Sequence, residues 1–265
     1  MQVDHQSVRR IIRYIDVPHM LLAVAMLALT KLSMRTPVNP MFIPPNDASV
    51  LYPKSDSHFL TKNTLEDMLF IATLSTMAVL YIASVFLDGI VNRFNIFTGV
   101  WMCLITIGLS NSFCAFFKGY VGWPRPDTYT VCGVNTTYAT CKYKKRDKQF
   151  ISWPSTHSTL AMSYSTYLSL FVQKAIKRNF ILVDILCILP FFFGFYVGST
   201  RIKDYKHHPD DVTAGLLIGS LVPFFLWKTQ KKIIFREKKE QKHIEHRKDE
   251  SESDKIEIGL NDNNL

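Results

Sequence analysis

The sequence predicts an all-α, polytopic membrane bundle with six transmembrane helices. Of the 265 residues, 48% are hydrophobic and 13% aromatic. These apolar residues gather into runs that approach or reach the roughly 20 residues needed to cross a hydrocarbon layer. A soluble domain would show shorter, amphipathic stretches instead. Basic residues flank the runs, as they do beside membrane spans.

The first span is read over 18–34, after a polar N-terminal segment 1–17 that carries Arg9, Arg10 and Arg13. It is read as a span and not a signal peptide, because no small-residue cleavage site precedes the Pro-rich loop at 36–53. The second span, 67–87, carries no internal charge. A short connection with Arg93 leads to the third, 96–117. The fourth, 158–173, is rich in Ser, Thr and Tyr, so hydropathy marks it only weakly. The fifth, 180–198, contains Pro190, where a kink is expected. The sixth, 211–227, opens after Pro209, a residue favoured in the first helical turn. From Lys228 to the end the composition is polar and charged, with Ser251 and Ser253 among acidic residues, and reads as a disordered tail. Three segments result: 1–17, the six-span unit 18–227, and the tail 228–265.

The formal charge is +9 and the pI about 9.3. Basic flanks of membrane spans account for this better than nucleic-acid binding, since no aromatic-basic module is present. Six spans put both termini on one side, and the basic N-terminus, 174–178 and 228–239 place that side in the cytosol. The basic cluster Lys142–Lys148 in the long polar loop 118–157 runs against this orientation. The sequon Asn135-Thr136-Thr137 in the same loop agrees with it. Cys132 and Cys141 share that loop and are read either as a disulfide of an oxidising compartment or as two free thiols. Cys103, Cys114 and Cys187 lie in spans and read as packing residues. Asp184, near the cytosolic end of span five, reads as an interfacial or helix-contact residue.

Three fragments stand at the same predicted membrane face: Lys118 to Pro126, Pro154 to His157, and Arg201 to Asp211. Neutralising a phosphate dianion takes cations aimed at its oxygens. Lys118, Arg125 and Arg201 suit that task, Arg through its bidentate fork. Taken alone, Lys118 and Arg125 also fit simple interfacial snorkelling. Ser155 is placed to cap a helix whose free amides attract an anion, with His157 at the same entrance. Asp211 follows His207 by four residues, which lets a carboxylate orient one imidazole nitrogen and leave the other for attack. Spacing within the sequence does not choose between His207 and His208. A metal site from His207, His208, Asp210 and Asp211 competes, but the phosphate already has cationic partners.

These fragments resemble the signature of the type 2 phosphatidic acid phosphatase (lipid phosphate phosphatase) superfamily, including its fungal members. That signature is Lys, six residues and Arg-Pro; Pro-Ser-Gly-His; then Ser-Arg, five residues, His, three residues and Asp. Lys118, Arg125 and Pro126 match the first element, Pro154, Ser155 and His157 the second, and Arg201, His207 and Asp211 the third. Thr156 stands where Gly is usual, and Thr200 where Ser is usual. The resemblance implies a six-span phosphatase in which His207 attacks phosphorus, Asp211 orients it, and His157 protonates the leaving oxygen and then activates water. Lys118, Arg125, Ser155 and Arg201 would hold the phosphate, with no metal and no cofactor.

The implied substrates are phosphatidic acid, lysophosphatidic acid, diacylglycerol pyrophosphate or related lipid phosphates. The implied partners are that lipid and the bilayer, with no nucleic acid and no obligate protein. The implied location is an endomembrane (Golgi, ER or vacuole) or the plasma membrane, the site lumenal or extracellular. Transfer of a phospho-headgroup to another lipid shares the site and is the nearest alternative. A transporter or scaffold explains the spans but not the spaced cations and histidines.

Overall fold

The computed structural model describes residues 11–55, 61–177 and 181–235. Arg9 and Arg10, and the tail from 236 with Ser251 and Ser253, lie outside the described residues. Six long helices make the bundle: α1 (Val17–Ser33), α2 (Lys62–Phe86), α3 (Ile96–Val121), α5 (Thr156–Ala175), α6 (Ile181–Lys203) and α7 (Pro209–Ile234). The short α4 (Thr128–Cys132) lies in the loop between α3 and α5. Four of the long helices, α2, α3, α6 and α7, are long and apolar enough to cross a membrane, and α1 is a shorter apolar helix. This is a multi-pass membrane architecture.

The remaining long helix, α5, shows why hydropathy is weak there. Ser158, Thr159, Ser163, Ser165, Thr166 and Ser169 are all buried, so α5 meets protein on nearly every side. It packs on α7, α6, α3 and α2. Several of its polar groups are satisfied by other helices or by its own carbonyls, while Ser163 Oγ and Thr166 Oγ1 have no hydrogen-bond partner among the described residues. Tyr167 donates to Gly99 O at 2.7 Å, Ser169 to Cys187 O at 2.6 Å, and Thr159 to Ser155 O at 3.0 Å. A helix surrounded by protein needs no lipophilic exterior.

Helix bounds differ from expectation where tertiary contacts extend them. α7 continues to Ile234 instead of ending at 227, because Gln230 is buried and donates to Met102 O (3.2 Å) and Thr106 Oγ1 (2.8 Å) of α3. α6 runs to Lys203, past the expected 198, and is continuous through Pro190. α2 begins at Lys62 because Thr61 caps it, accepting from Thr64 N–H at 3.2 Å.

The two ends of the bundle are chemically distinct. At one end Asp16 Oδ2 accepts from Thr98 Oγ1 (2.7 Å), Trp101 Nε1 donates to Ile15 O (2.8 Å), and Asn95 N–H donates to Ile234 O (3.2 Å). The segments around 15 and 234 therefore meet there, and the exposed Asp184 begins α6 at that end. At the other end α3 and α6 finish and α5 and α7 begin. The loop after α1 is docked there on α3: Asn39 N–H donates to Gly119 O (2.9 Å) and Met41 N–H to Gly122 O (3.1 Å). Gly122 caps α3 at φ 62°, and a Cβ there would lie 1.7 Å from Asn39 O, so only glycine fits. The loop between α3 and α5 contains a disulfide between Cys132 and Cys141. Cys103, Cys114 and Cys187 are buried and unpaired.

Candidate active site

The three sequence fragments meet at the second end of the bundle. Close helix packing brings two of them together: a Cβ on Gly215 of α7 would lie 2.6 Å from Ser155 O of α5. At that approach Ser155 N–H donates to Asp211 O at 2.9 Å. The first fragment joins the third through Arg125, whose Nη1 donates to Lys206 O at 3.0 Å. Arg125 Nε donates to Lys148 O at 2.5 Å, and its N–H to Gln149 O at 2.8 Å. Lys118 Nζ donates to Ile151 O (2.9 Å) and Ser152 O (3.1 Å). Both cations thus hold the 148–152 segment that leads into α5.

His207 is 3% exposed and Asp211 fully buried. Asp211 sits in the first turn of α7, where its Oδ2 accepts the His208 N–H at 2.8 Å and caps the helix. The same oxygen lies 3.4 Å from His207 Nδ1. Ser152 Oγ donates to it at 2.5 Å and stands 3.3 Å from His207 Nδ1. With Nδ1 facing these acceptors the ring carries its proton there, and Nε2 keeps its lone pair. Burial pushes the His207 imidazole well below the ordinary histidine value. Asp211 opposes that shift, while the charges of Arg125 and Lys118 reinforce it. The neutral form is therefore favoured.

His208 differs in its commitments. Its Nδ1 accepts from Trp123 Nε1 at 3.3 Å and its Nε2 lies 3.1 Å from Ser49 O. Both ring nitrogens are engaged, whereas His207 Nε2 has no hydrogen-bond partner among the described residues. This separates the two histidines that spacing left equivalent. Burial acts to lower His208, but the nearby Asp211 carboxylate outweighs it and raises the imidazole.

Ser155 caps α5, accepting from Ser158 N–H (3.4 Å) and Ser158 Oγ (3.0 Å). His157 is half-buried in the same first turn. Thr156, in place of the usual Gly, takes an ordinary helical position, with its hydroxyl 3.6 Å from Cys114 Sγ. Arg201 is buried at the end of α6. It donates from Nη2 to Asp204 Oδ2 (3.1 Å) and from Nε to Thr200 Oγ1 (3.1 Å), so the hydroxyl retained at 200 steadies the guanidinium. Burial lowers the Arg125 guanidinium, opposed by Asp127 and Asp211 and reinforced by Arg201.

Ser152, Asp204, and the ion pair of Lys206 Nζ with Asp127 Oδ2 (3.3 Å) went unmarked by sequence reasoning. Ser152 lies two residues before the matched second fragment, which is the one signal it offered. Asn135 is exposed on a turn at φ 57°, with its Oδ1 accepting from Asn46 N–H at 2.8 Å. His208, Asp210 and Asp211 bring ligand atoms within 4.8 Å of one another. As a cation site they fit poorly. Asp211 Oδ2 already takes Ser152 and the His208 amide, and His208 is held by Trp123 and Ser49.

The PAP2 superfamily family description matches residues 99–235, which is just over half of the chain and covers every residue of the site. The chain belongs to the PAP2 superfamily. Among curated relatives, this PAP2 chain is 32% identical over 133 residues to human "Phospholipid phosphatase 2", covering 45% of this chain and 46% of that one. It is 35% identical over 127 residues to "Lipid phosphate phosphatase 1" of Arabidopsis thaliana, covering 42% and 38%. It is 27% identical over 160 residues to human "Phospholipid phosphatase-related protein type 1", covering 53% and 48%. In each case the match spans less than half of the relative's length. No solved structure matches the chain.

Proposed function

We propose that this protein is an integral-membrane lipid phosphate phosphatase that works through a phosphohistidine. The observation that carries this reading is the buried His207, whose imidazole is held by burial well below the ordinary histidine value. Its Nδ1 is held by Ser152 and Asp211, and Lys118, Arg125 and Arg201 share its end of the bundle. Membership of the PAP2 superfamily and relatives named as phospholipid and lipid phosphate phosphatases support it.

In the first step His207 Nε2 attacks phosphorus. A P–N bond forms as the bond from phosphorus to the lipid oxygen breaks, and His157 gives its proton to that oxygen. In the second step water attacks phosphorus and loses a proton to His157, and the P–N bond breaks to release inorganic phosphate and neutral His207. Lys118, Arg125 and Arg201 balance the phosphate charge and Ser155 helps hold it, which lets the reaction run without a divalent metal. Substrates of this reading are phosphatidic acid, lysophosphatidic acid, diacylglycerol pyrophosphate and related lipid phosphates.

The site faces the lumen or exterior in this reading, with both termini cytosolic and Asn135 glycosylated. The Cys132–Cys141 disulfide agrees with an oxidising compartment. The test is phosphate release from phosphatidic acid by the purified protein in EDTA. Activity that disappears in His207→Ala and in His157→Ala supports the reading; full activity in either contradicts it.

A further inference from the structure

Ser152 is uncharged, fully buried and outside the matched motif positions, yet its hydroxyl stands between the two groups the mechanism couples. The direct separation of His207 Nδ1 from Asp211 Oδ2 is 3.4 Å, long for a hydrogen bond. The path through Ser152 has shorter legs, 3.3 Å to His207 Nδ1 and 2.5 Å to Asp211 Oδ2. A hydroxyl both accepts and donates, so it can take the Nδ1–H of His207 while giving its own proton to the carboxylate. We propose that Ser152 is a positioning residue, linking His207 to Asp211 and fixing the imidazole in the Nδ1–H tautomer.

The hydroxyl is itself held in place. Ser152 N–H donates to Trp123 O at 2.9 Å, its carbonyl accepts from Lys118 Nζ at 3.1 Å, and the preceding carbonyl accepts from Lys118 at 2.9 Å. Lys118 therefore has a second task, tying the backbone of Ser152 to the end of α3. The charged groups acting on the ring come from three elements: Lys118 of α3, Arg125 of the following loop, and Asp211 of α7. His208 and its amide share the carboxylate oxygen. Lys118 and Arg125 disfavour a protonated ring without choosing between its nitrogens. Asp211 and Ser152 meet Nδ1 directly, and of these two Ser152 offers the closer atom.

The consequence for catalysis rests on the proposed function, but the tautomer does not. In the full-length protein with ¹⁵N-labelled histidine, the His207 resonances are assigned by their loss in His207→Gln. Above its titration the wild-type ring is expected wholly as the Nδ1–H tautomer. Ser152→Ala is expected to give a mixture with the Nε2–H form, and Ser152→Thr, which keeps the hydroxyl, to restore the single tautomer. With phosphatidic acid, kcat is expected to fall on the order of tenfold in Ser152→Ala with KM nearly unchanged. Ser152→Cys, a weaker donor of similar size, falls between and serves where the alanine variant does not fold. A Ser152→Ala or Ser152→Cys protein whose His207 stays entirely in the Nδ1–H form overturns the proposal, whether or not lipid is hydrolysed. A purely structural serine would lower the melting temperature and leave the tautomer alone.

Discussion

Arg125 donates from Nη1 to the carbonyl of Lys206, the residue immediately before His207, at 3.0 Å. A guanidinium proposed to bind phosphate is thus also a brace for the loop that carries His207, the proposed nucleophile. It spends a second donor on Lys148 O, and three of its five remain. Lysine has the charge but not the fork. Arg125→Lys is expected to cost on the order of a hundredfold in kcat/KM, the scale of losing one preorganised donor. Steady-state kinetics on phosphatidic acid in mixed micelles measure this. Retention of more than a third of the wild-type value would separate Arg125 from the site.

In the proposed mechanism, where His207 attacks phosphorus, its depressed imidazole sets the acid side of the pH profile. The group attacks when neutral, so its lowered value keeps it competent well below its usual 6.5. The acid limb of kcat/KM attributable to His207 is expected well below the ordinary histidine range. For stability the sign follows from proton binding. Below about 6.5 the unfolded chain binds a proton at this histidine that the folded protein refuses, so its contribution to stability falls with acidification until the folded value is reached. Melting curves of wild type and His207→Gln between pH 4.5 and 7 test this; the variant is expected to lose less stability on acidification.

Lys206 Nζ pairs with Asp127 Oδ2 at 3.3 Å, and Asp127 is 2% exposed while Lys206 is half-buried. Removing one partner strands the other. Asp127→Ala is expected to destabilise the protein by about 2–3 kcal/mol, below the full buried-pair range because Lys206 reaches solvent. Asp127→Ala combined with Lys206→Met is expected to recover at least half of that loss. Thermal unfolding of both variants decides it. A double variant no better than the single one would show that the pair is not the source.

The disulfide closes a short loop, with a sequence separation of 9 between Cys132 and Cys141. Cys132→Ser with Cys141→Ser is expected to lower stability by roughly 2–3 kcal/mol through greater freedom of the unfolded chain. The bridge packs with Tyr129 and Phe150 in a small apolar cluster that contains none of the catalytic or phosphate-binding candidates. Residual activity at low temperature is therefore expected to stay within about threefold of wild type, a limit set by the context-dependence of such effects.

Much of this architecture was legible because membrane physics writes plainly in sequence. Runs such as those in α2 and α6 have no other economical reading. The helix α5 was legible mainly through its neighbouring motif, since a helix wrapped by protein has no reason to be greasy. The end of α7 was not legible, because Gln230 and the lysines beside it look like the start of a polar tail until α3 supplies Gln230 with partners. At the site, the fragments that carry Arg125, Ser155, His207 and Asp211 were legible through their resemblance to a family signature. Ser152 and Asp204 were not: their value lies in partners that only the folded chain provides. The choice between His207 and His208 needed the same information, since it turns on Trp123 and Ser49 occupying the second ring.

The central claim is that His207 carries the phosphoryl group, and rapid quenching of wild-type protein turning over ³²P-labelled phosphatidic acid tests it most directly. The account predicts protein-bound label that is stable to alkali, lost in acid, located on the peptide containing His207 and absent from His207→Gln. Label on any other residue, or undiminished hydrolysis by His207→Gln, would contradict it.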